Sequence, residues 1–561
     1  MGVITWPAAL APERGLLPPE GVAQEYRAAG WWRDTTLLHD LYRTAAADPL
    51  RPALTGSRLG LPAGRPYRTV RYGELARLAE RCAAGLAALG VSAGDPVAVQ
   101  LPSWWEVAAL ALGCLRLGAV AVPVLPTVRA HGLHRILAGT RARVCVVPDV
   151  WDGFPHAEAL ADLAPHTPWL RHRVVYGDAA ATGAVDFAGW FLRTPHERAP
   201  AWRGRPLPAD AADRPWLLVT VMDLGDRYTG VLHSPNTLYA NIGVQHDREG
   251  PGRRPGEVFL SALPLTSLAS LIYALCWPLA VGGTGVVQDR WDPAGFVRLA
   301  GHAGVNQAYA EPAYWSEVLA ARRGPERVPD GLRLLLSGGR TGSSPELLRG
   351  LREELGAPVM SVWGTPELGM GTLAPGADGG RPLPGLQVSA GTAAGPLRVR
   401  GPSVCLGVWP LDSPSPRPTW GDGDGWLDTG DLAAADGRGG LRVVARAGAR
   451  TGAFFLVPAT EIEQGLRRHP GVREAAVVAY TDPEHGELPC AVVVPVVAAE
   501  PPGSAALREF LAAQGVAEAF LPARFEVVGA LPRDEGGAVR HAALRDWLAR
   551  LRPGEPRRPP A

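Results

Sequence analysis

From Tyr72 the apolar residues Leu75, Leu78, Ala79, Cys82, Leu86 and Leu89 recur at three- and four-residue spacing, and the pattern stops at Gly90. That spacing draws one apolar stripe along a helix, and glycine is a common residue at a helix end. The pattern then shortens to a strand-like run at Val97–Gln100, lengthens to a helix over Trp104–Leu117, and shortens again at Ala119–Val124 and Arg143–Val147. Further along, Trp216–Val221 and Val258–Leu263 read as strands, and Leu268–Leu279, Phe296–His302 and Glu346–Glu354 read as helical. Short apolar runs alternating with helices predict a layered α/β architecture containing parallel strands. Residues 1–66 are Pro-rich with neither period and read as an irregular leading segment; Pro410–Gly425 reads as a loop.

The pattern changes near Arg446–Gly448, which reads as a hinge. Beyond it come a helix at Glu461–His469, strands at Ala475–Tyr480 and Ala491–Val497, a helix at Ala505–Gln514, a strand at Arg524–Val528 and helical residues near Arg540–Leu551. A chain of 561 residues is too long for one hydrophobic core, so at least two domains are expected. The reading is a large multi-sheet layered α/β N-terminal domain over 67–445, preceded by the segment 1–66, and a small mobile α+β C-terminal lobe over 446–561. No internal repeat is apparent.

A formal net charge of +1 provides no global field to attract nucleic acid. The apolar stretch Leu110–Val124 is interrupted by Arg116 and rich in Gly and Ala, so no membrane span is expected. The N-terminus has no basic region followed by an apolar run. Cys82, Cys114, Cys145, Cys276, Cys405 and Cys490 lie far apart among apolar neighbours, without metal-ligand spacing, and read as small buried thiols. Together these features give a cytoplasmic expectation. All 56 Lys and Arg residues are arginine, so the chain has no ammonium side chain where chemistry needs a compact, movable point charge.

Several strings occur in a fixed order. GWLDTGDLAAADGRGGLRVVAR spans Gly425–Arg446, and EIEQGLRRHPGVREAAVVAYTDPEHGE spans Glu461–Glu487. YGELARLAERCAAGLAALG, GVLHSPNTL, VVQDRWDP, LSGG and RPLPG accompany them. From about Tyr67 to Arg545 the chain resembles the adenylate-forming superfamily of acyl-CoA synthetases, luciferase-like enzymes and peptide-synthetase adenylation domains. The resemblance implies joining of ATP and a carboxylic acid into an acyl-adenylate, followed by rotation of the small lobe and transfer to a thiol. It implies that Asp431 accepts hydrogen bonds from the ribose hydroxyls and that Arg446 makes a second ribose or phosphate contact. Trp363 would stack near the adenine, Gly338 and Gly339 would border the base, and Glu367 would support magnesium. Taken singly, Asp431 could cap a turn, Glu367 could be solvated, Trp363 could be core and Arg446 could pair with a surface carboxylate.

The phosphate-handling parts depart from the family pattern. The run TVMDLGDRYTG, Thr220–Gly230, stands where the family has a Ser/Thr/Gly-rich loop ending in Pro-Lys-Gly. Gly230 matches, Thr229 occupies the lysine position, and Asp223 and Asp226 occupy glycine positions, where carboxylates repel a triphosphate. Near the C-terminus, Leu531, Pro532 and Gly537 match, but the position of the catalytic lysine is Ala538. Ser267 replaces a histidine, Ser270 a glycine and Pro366 a hydroxyl residue, and the stretch after Arg446 lacks a paired-glycine turn.

The expectation is therefore a homologue impaired in ordinary ATP-dependent activation and reassigned to altered catalysis or to binding an acyl, nucleotide or acyl-thioester ligand, with a biosynthetic partner. The alternative is an AMP-forming acid–CoA or acid–carrier-protein ligase using substitute residues, with ATP, magnesium and coenzyme A as its co-reactants and a small carboxylic acid as substrate. The adjacent His233 and Ser234 do not form a hydrolase dyad, because neighbours in sequence do not ordinarily converge on one reacting atom.

Overall fold

The structure, a computed structural model, describes residues 16–58, 66–208, 210–222, 228–243, 256–321, 331–339, 343, 345–376, 380–392, 395–446, 459–482, 486–497, 500–514, 516, 521–532 and 539–551. Two nine-stranded sheets form the body. In one, Pro52–Ser57, Thr284–Val287, Val258–Ser261, Gln307–Ala310, Leu334–Gly339 and Val359–Thr365 run parallel in that spatial order. In the other, Leu217–Met222, Val120–Pro123, Pro96–Val99, Val144–Pro148, His172–Tyr176 and Val185–Asp186 do the same. Pro96–Val99, Val120–Pro123 and Val144–Pro148 are buried along their whole length. Parallel strands covered on both faces need such unbroken apolar runs, which is why these strands show no alternation.

The principal hydrophobic cluster joins residues of both sheets to the helices Tyr72–Ala88 and Trp105–Leu117. In the second helix every residue after Trp105 is buried, and Gly118 ends it at φ +81°. Its two charges are paired: Glu106 with Arg58 at 2.7 Å and Arg116 with Glu80 at 2.7 Å. All six cysteines are buried free thiols. Among the described residues no helix is long and apolar enough to cross a membrane.

Two stretches differ from the sequence reading. The segment taken as irregular contains helices Glu20–Ala28 and Leu37–Ala47 and the strand Pro52–Ser57, which is paired on both sides within the first sheet. The stretch Leu268–Leu279 is not one α-helix: a turn at Leu268–Ser270 widens to π-helix over Leu271–Cys276 before Trp277–Val281 resumes.

This widened segment presses on the first sheet. A Cβ at Gly285 would lie 1.9 Å from the Ala274 carbonyl oxygen. Gly285→Ala is therefore expected to destabilise the body by more than about 3 kcal/mol, because backbone must move on one side or the other. Gly301→Ala, in the helix Pro293–Ala303 with nothing within 4 Å, is expected to stabilise by up to about 1 kcal/mol. Urea unfolding midpoints of the two variants would check the contrast.

A four-stranded antiparallel sheet, Gln387–Ser389, Gly395–Arg400, Leu427–Ala435 and Leu441–Arg446, completes the body. The C-terminal residues build a separate three-stranded sheet from Val472–Asp482, Gly486–Pro495 and Arg524–Val527. Ala475, Val477, Ala491 and Val493 pack on one face with Leu466 and Leu507, and Ala476, Val478, Val492 and Val494 pack on the other with Leu544 and Leu548. Both clusters draw only on residues from Ile462 onward.

Candidate nucleotide site

Asp431 is aimed by a bulge. Across the pairing of Gly395–Arg400 with Leu427–Ala435, Arg398 stands opposite Asp428 and Pro396 opposite Leu432, so Thr429, Gly430 and Asp431 share the single position of Leu397. Gly430 takes φ +69°, which its missing side chain allows. The Thr429 hydroxyl donates to the Leu397 carbonyl at 2.9 Å and accepts the Asp431 N–H at 3.1 Å, while Asp428 Oδ1 accepts the Gly430 N–H at 2.8 Å. The result turns Asp431 inward to 1% exposure.

Trp363 meets it there. The indole N–H donates to Asp431 Oδ2 at 3.1 Å, so the two residues, 68 apart in sequence, form one hydrogen-bonded unit. Trp363 lies opposite Gly339 on one neighbouring strand and opposite Thr372 on the other. A Cβ at Gly371 would come 2.4 Å from the indole, and a Cβ at Gly338 would come 2.6 Å from the Tyr309 ring. Gly338 and Gly339 thus end a parallel strand at its carboxyl end, where α/β sheets bind ligands. The backbone of Arg446 pairs with Asp431 across the adjacent strand; its side chain lies outside the described residues.

Glu367 occupies the turn that follows Trp363, at 3% exposure. The turn is closed by Leu368 N–H to Thr365 carbonyl at 3.1 Å and by Gly369 at φ +70°. The Glu367 carbonyl accepts the Cys405 N–H at 2.7 Å, and the carbonyl before it, of Pro366, lies 2.7 Å from His233 Nε2. A carbonyl only accepts, so Nε2 carries the proton, and Nδ1 faces the Thr237 hydroxyl at 3.1 Å. Burial pushes the His233 imidazole down to about 4, against the opposing pull of the Pro366 hydrogen bond and the Glu367 charge. Ser234 is spent on capping the helix Pro235–Gly243, its hydroxyl accepting the Thr237 N–H at 3.2 Å.

The depressed imidazole makes stability depend on pH. An unfolded histidine binds a proton below about 6.5 whereas folded His233 does not until about 4, so stability is full above pH 6.5 and falls by about 3 kcal/mol as pH drops through that window. His156, pushed by burial to about 3, adds in the same direction. Urea unfolding at pH 7 and pH 4.5 is expected to show a smaller loss in His233→Gln than in the parent chain.

Tyr228–His233 pairs antiparallel with Leu217–Met222, and the residues between them, Asp223 and Asp226 included, lie outside the described residues. Thr229 and Gly230, read from the sequence as part of that loop, are strand residues instead. Thr229 pairs with Val221 and Pro410, and Gly230 with Thr220 and Trp409, because a third strand lies beside them. Ala538 also lies outside the described residues. No group of three or more His, Cys, Asp or Glu side chains suited to a metal occurs among the described residues. Glu367 as a single carboxylate fits magnesium, which takes one or two carboxylates and shares the rest of its shell with phosphates and water.

Sequence reasoning missed Thr429, whose hydroxyl shapes the bulge, and His233, whose role depends on a contact 133 residues away. The Thr-Gly pair inside DTGD was the available signal for the first, and nothing local signalled the second.

A family described as AMP-binding enzyme matches residues 41–211 and 229–409, and one described as AMP-binding enzyme C-terminal domain matches 461–537. The interruption covers the stretch that contains Asp223 and Asp226. A salicylyl-CoA synthase / salicylate adenylyltransferase of Streptomyces sp is 29% identical over 95% of this chain and 97% of its own length. A salicyl-AMP ligase / salicyl-S-ArCP synthetase of Mycobacterium tuberculosis is 30% identical over 94% of each. The solved amide bond synthetase McbA of Marinactinospora thermotolerans superposes with a TM-score of 0.70 over 92% of this chain and 100% of that one, at 23% identity, a likeness of fold. With both parts of the family pattern matched in order and full-length relatives on either side, the chain belongs to the adenylate-forming, AMP-binding enzyme family.

Proposed function

We propose that the chain is an AMP-forming acid–thiol ligase, activating a small carboxylic acid with ATP and passing it to the thiol of coenzyme A or of a carrier protein. The observation that carries this reading is the buried Asp431–Trp363 pair, held on a bulge beside Gly338 and Gly339 with Glu367 on the next turn. Asp431 would accept the ribose hydroxyls and Trp363 would hold that carboxylate in orientation while its ring faces the base. Arg446 would add a cation on the neighbouring strand, and Glu367 would hold magnesium, which neutralises phosphate charge when bound. Full-length relatives named for adenylation and thioester formation support this reading over the impaired one, and their naming for salicylate puts hydroxybenzoates first in a substrate panel.

The lysine-free sequence, with Ala538 at the lysine position, favours a second reading in which the site binds nucleotide or acyl ligand without efficient activation. Carboxylate-dependent exchange of pyrophosphate into ATP, over hydroxybenzoates, fatty acids and cyclic acids, separates the two. Exchange with at least one acid, slow and abolished in Asp431→Ala, is the expected result. Specific binding of AMP with no exchange for any acid would replace the ligase reading by the second one.

A further inference from the structure

We infer that His233 is the positioning residue for Glu367, acting through the peptide backbone and not by contact with substrate. The inference rests on the reading of Glu367 as the magnesium carboxylate. The direction in which a side chain leaves the backbone is set by the two peptide planes that flank its Cα. Both planes at Glu367 are anchored from outside the turn. The plane before it is held by His233 Nε2–H on the Pro366 carbonyl at 2.7 Å, and the plane after it by Cys405 N–H on the Glu367 carbonyl at 2.7 Å. Proline at 366 already fixes its own φ, so the plane between it and Glu367 turns chiefly about the Pro366 ψ, and the bond from His233 to the Pro366 carbonyl ties that rotation.

The two anchors are themselves tied together. Leu406 N–H donates to the Leu232 carbonyl at 2.8 Å, one residue from each anchor, so Cys405, just before the strand Gly407–Pro410, is held beside His233 at the end of the strand paired with it. The His233 ring has no freedom to release Pro366. It is fully buried, Nδ1 is engaged by Thr237, and the His233 carbonyl accepts the Trp216 N–H at 2.8 Å. The strand that carries Thr229 and Gly230 ends in this ring, so the phosphate side and the magnesium carboxylate share one rigid connection.

Glutamine can place an amide N–H where His Nε2–H lies; asparagine reaches only the Nδ1 position, and leucine supplies no donor. In the full-length chain, hydrogen–deuterium exchange of segments 363–370 and 403–407 is expected to rise about tenfold in His233→Leu and His233→Asn, and to stay within about threefold of the parent in His233→Gln, as loss of one buried hydrogen bond dictates. Segment 472–482 of the C-terminal lobe should not change. The magnesium concentration for half-maximal pyrophosphate exchange should rise about tenfold in the Leu and Asn variants with the KM for the acid unchanged, and glutamine should restore it. Unchanged protection of 363–370 in the Asn variant, or a Gln variant as impaired as Asn, overturns the inference. If the parent chain shows no exchange activity the ligase reading fails alone, and protection of 363–370 still decides the role of His233. Should the Leu variant not fold, the Asn and Gln pair carries the test.

Discussion

Ala538→Lys is expected to accelerate carboxylate-dependent pyrophosphate exchange by about two to three orders of magnitude. The family resemblance puts a lysine ammonium at this position, between the attacking carboxylate and the α-phosphate, and the natural chain has a methyl group there. A preorganised cation or donor at developing charge is worth about 3–4 kcal/mol in the transition state, which converts to that gain in rate. Ala538→Met, with comparable length and no charge, should remain at the parent rate. Ala538→Arg should recover less, because a planar fork cannot occupy the place of a compact ammonium. The measurement is initial exchange rate at saturating ATP and acid. An unaltered rate in the Lys variant would mean that another cation of the chain already serves the step.

The second large effect belongs to Asp431. Calorimetric titration of Asp431→Ala with adenosine, AMP and ATP plus magnesium is expected to show at least about a hundredfold weaker binding of all three, since hydrogen bonds to a charged group contribute about 1.5–3 kcal/mol each. The substitution also leaves the Trp363 indole N–H without its acceptor. Trp363→Phe should cost only about tenfold, because the ring face survives and one hydrogen bond is lost. In the parent chain the three ligands should bind within a narrow range, as Asp223 and Asp226 oppose any gain from added phosphates. A steep rise in affinity from AMP to ATP would contradict that placement of the two carboxylates.

Periodicity revealed the helices Tyr72–Ala88 and Trp105–Leu117 and the short parallel strands that follow each of them, because burial writes an apolar stripe or an unbroken apolar run directly into the sequence. It concealed the strand Pro52–Ser57, whose Pro and Gly suit a turn and whose place is set by pairing with Thr284–Val287 far along the chain. The helix Leu37–Ala47 was obscured by a buried Asp40 on its inner side, which Arg33 and Arg43 neutralise at 2.5 and 2.8 Å. In the site, motif order singled out Asp431, Trp363 and Glu367, but not that Trp363 donates to Asp431, since 68 residues separate them. The backbone clamp at Glu367 was illegible for the same reason: a histidine bound to a carbonyl leaves no trace in the identity of the residue that owns the carbonyl.

The bulge at Thr429–Asp431 has a consequence for which changes of length the chain can accept. Substitution at Leu427, Ala433 or Ala434 changes local packing but not the number of residues, and so leaves the pairing register intact. Deletion of Gly430 removes one of the two surplus residues opposite Leu397, and because strand side chains alternate, the residues on one side of the gap must change face. Asp431 would turn away from Trp363, or Leu441–Arg446 would slide past its partners and carry Arg446 out of line. A library of single-residue deletions across 425–446 should therefore contain folded members without nucleotide affinity, clustered at 429–431.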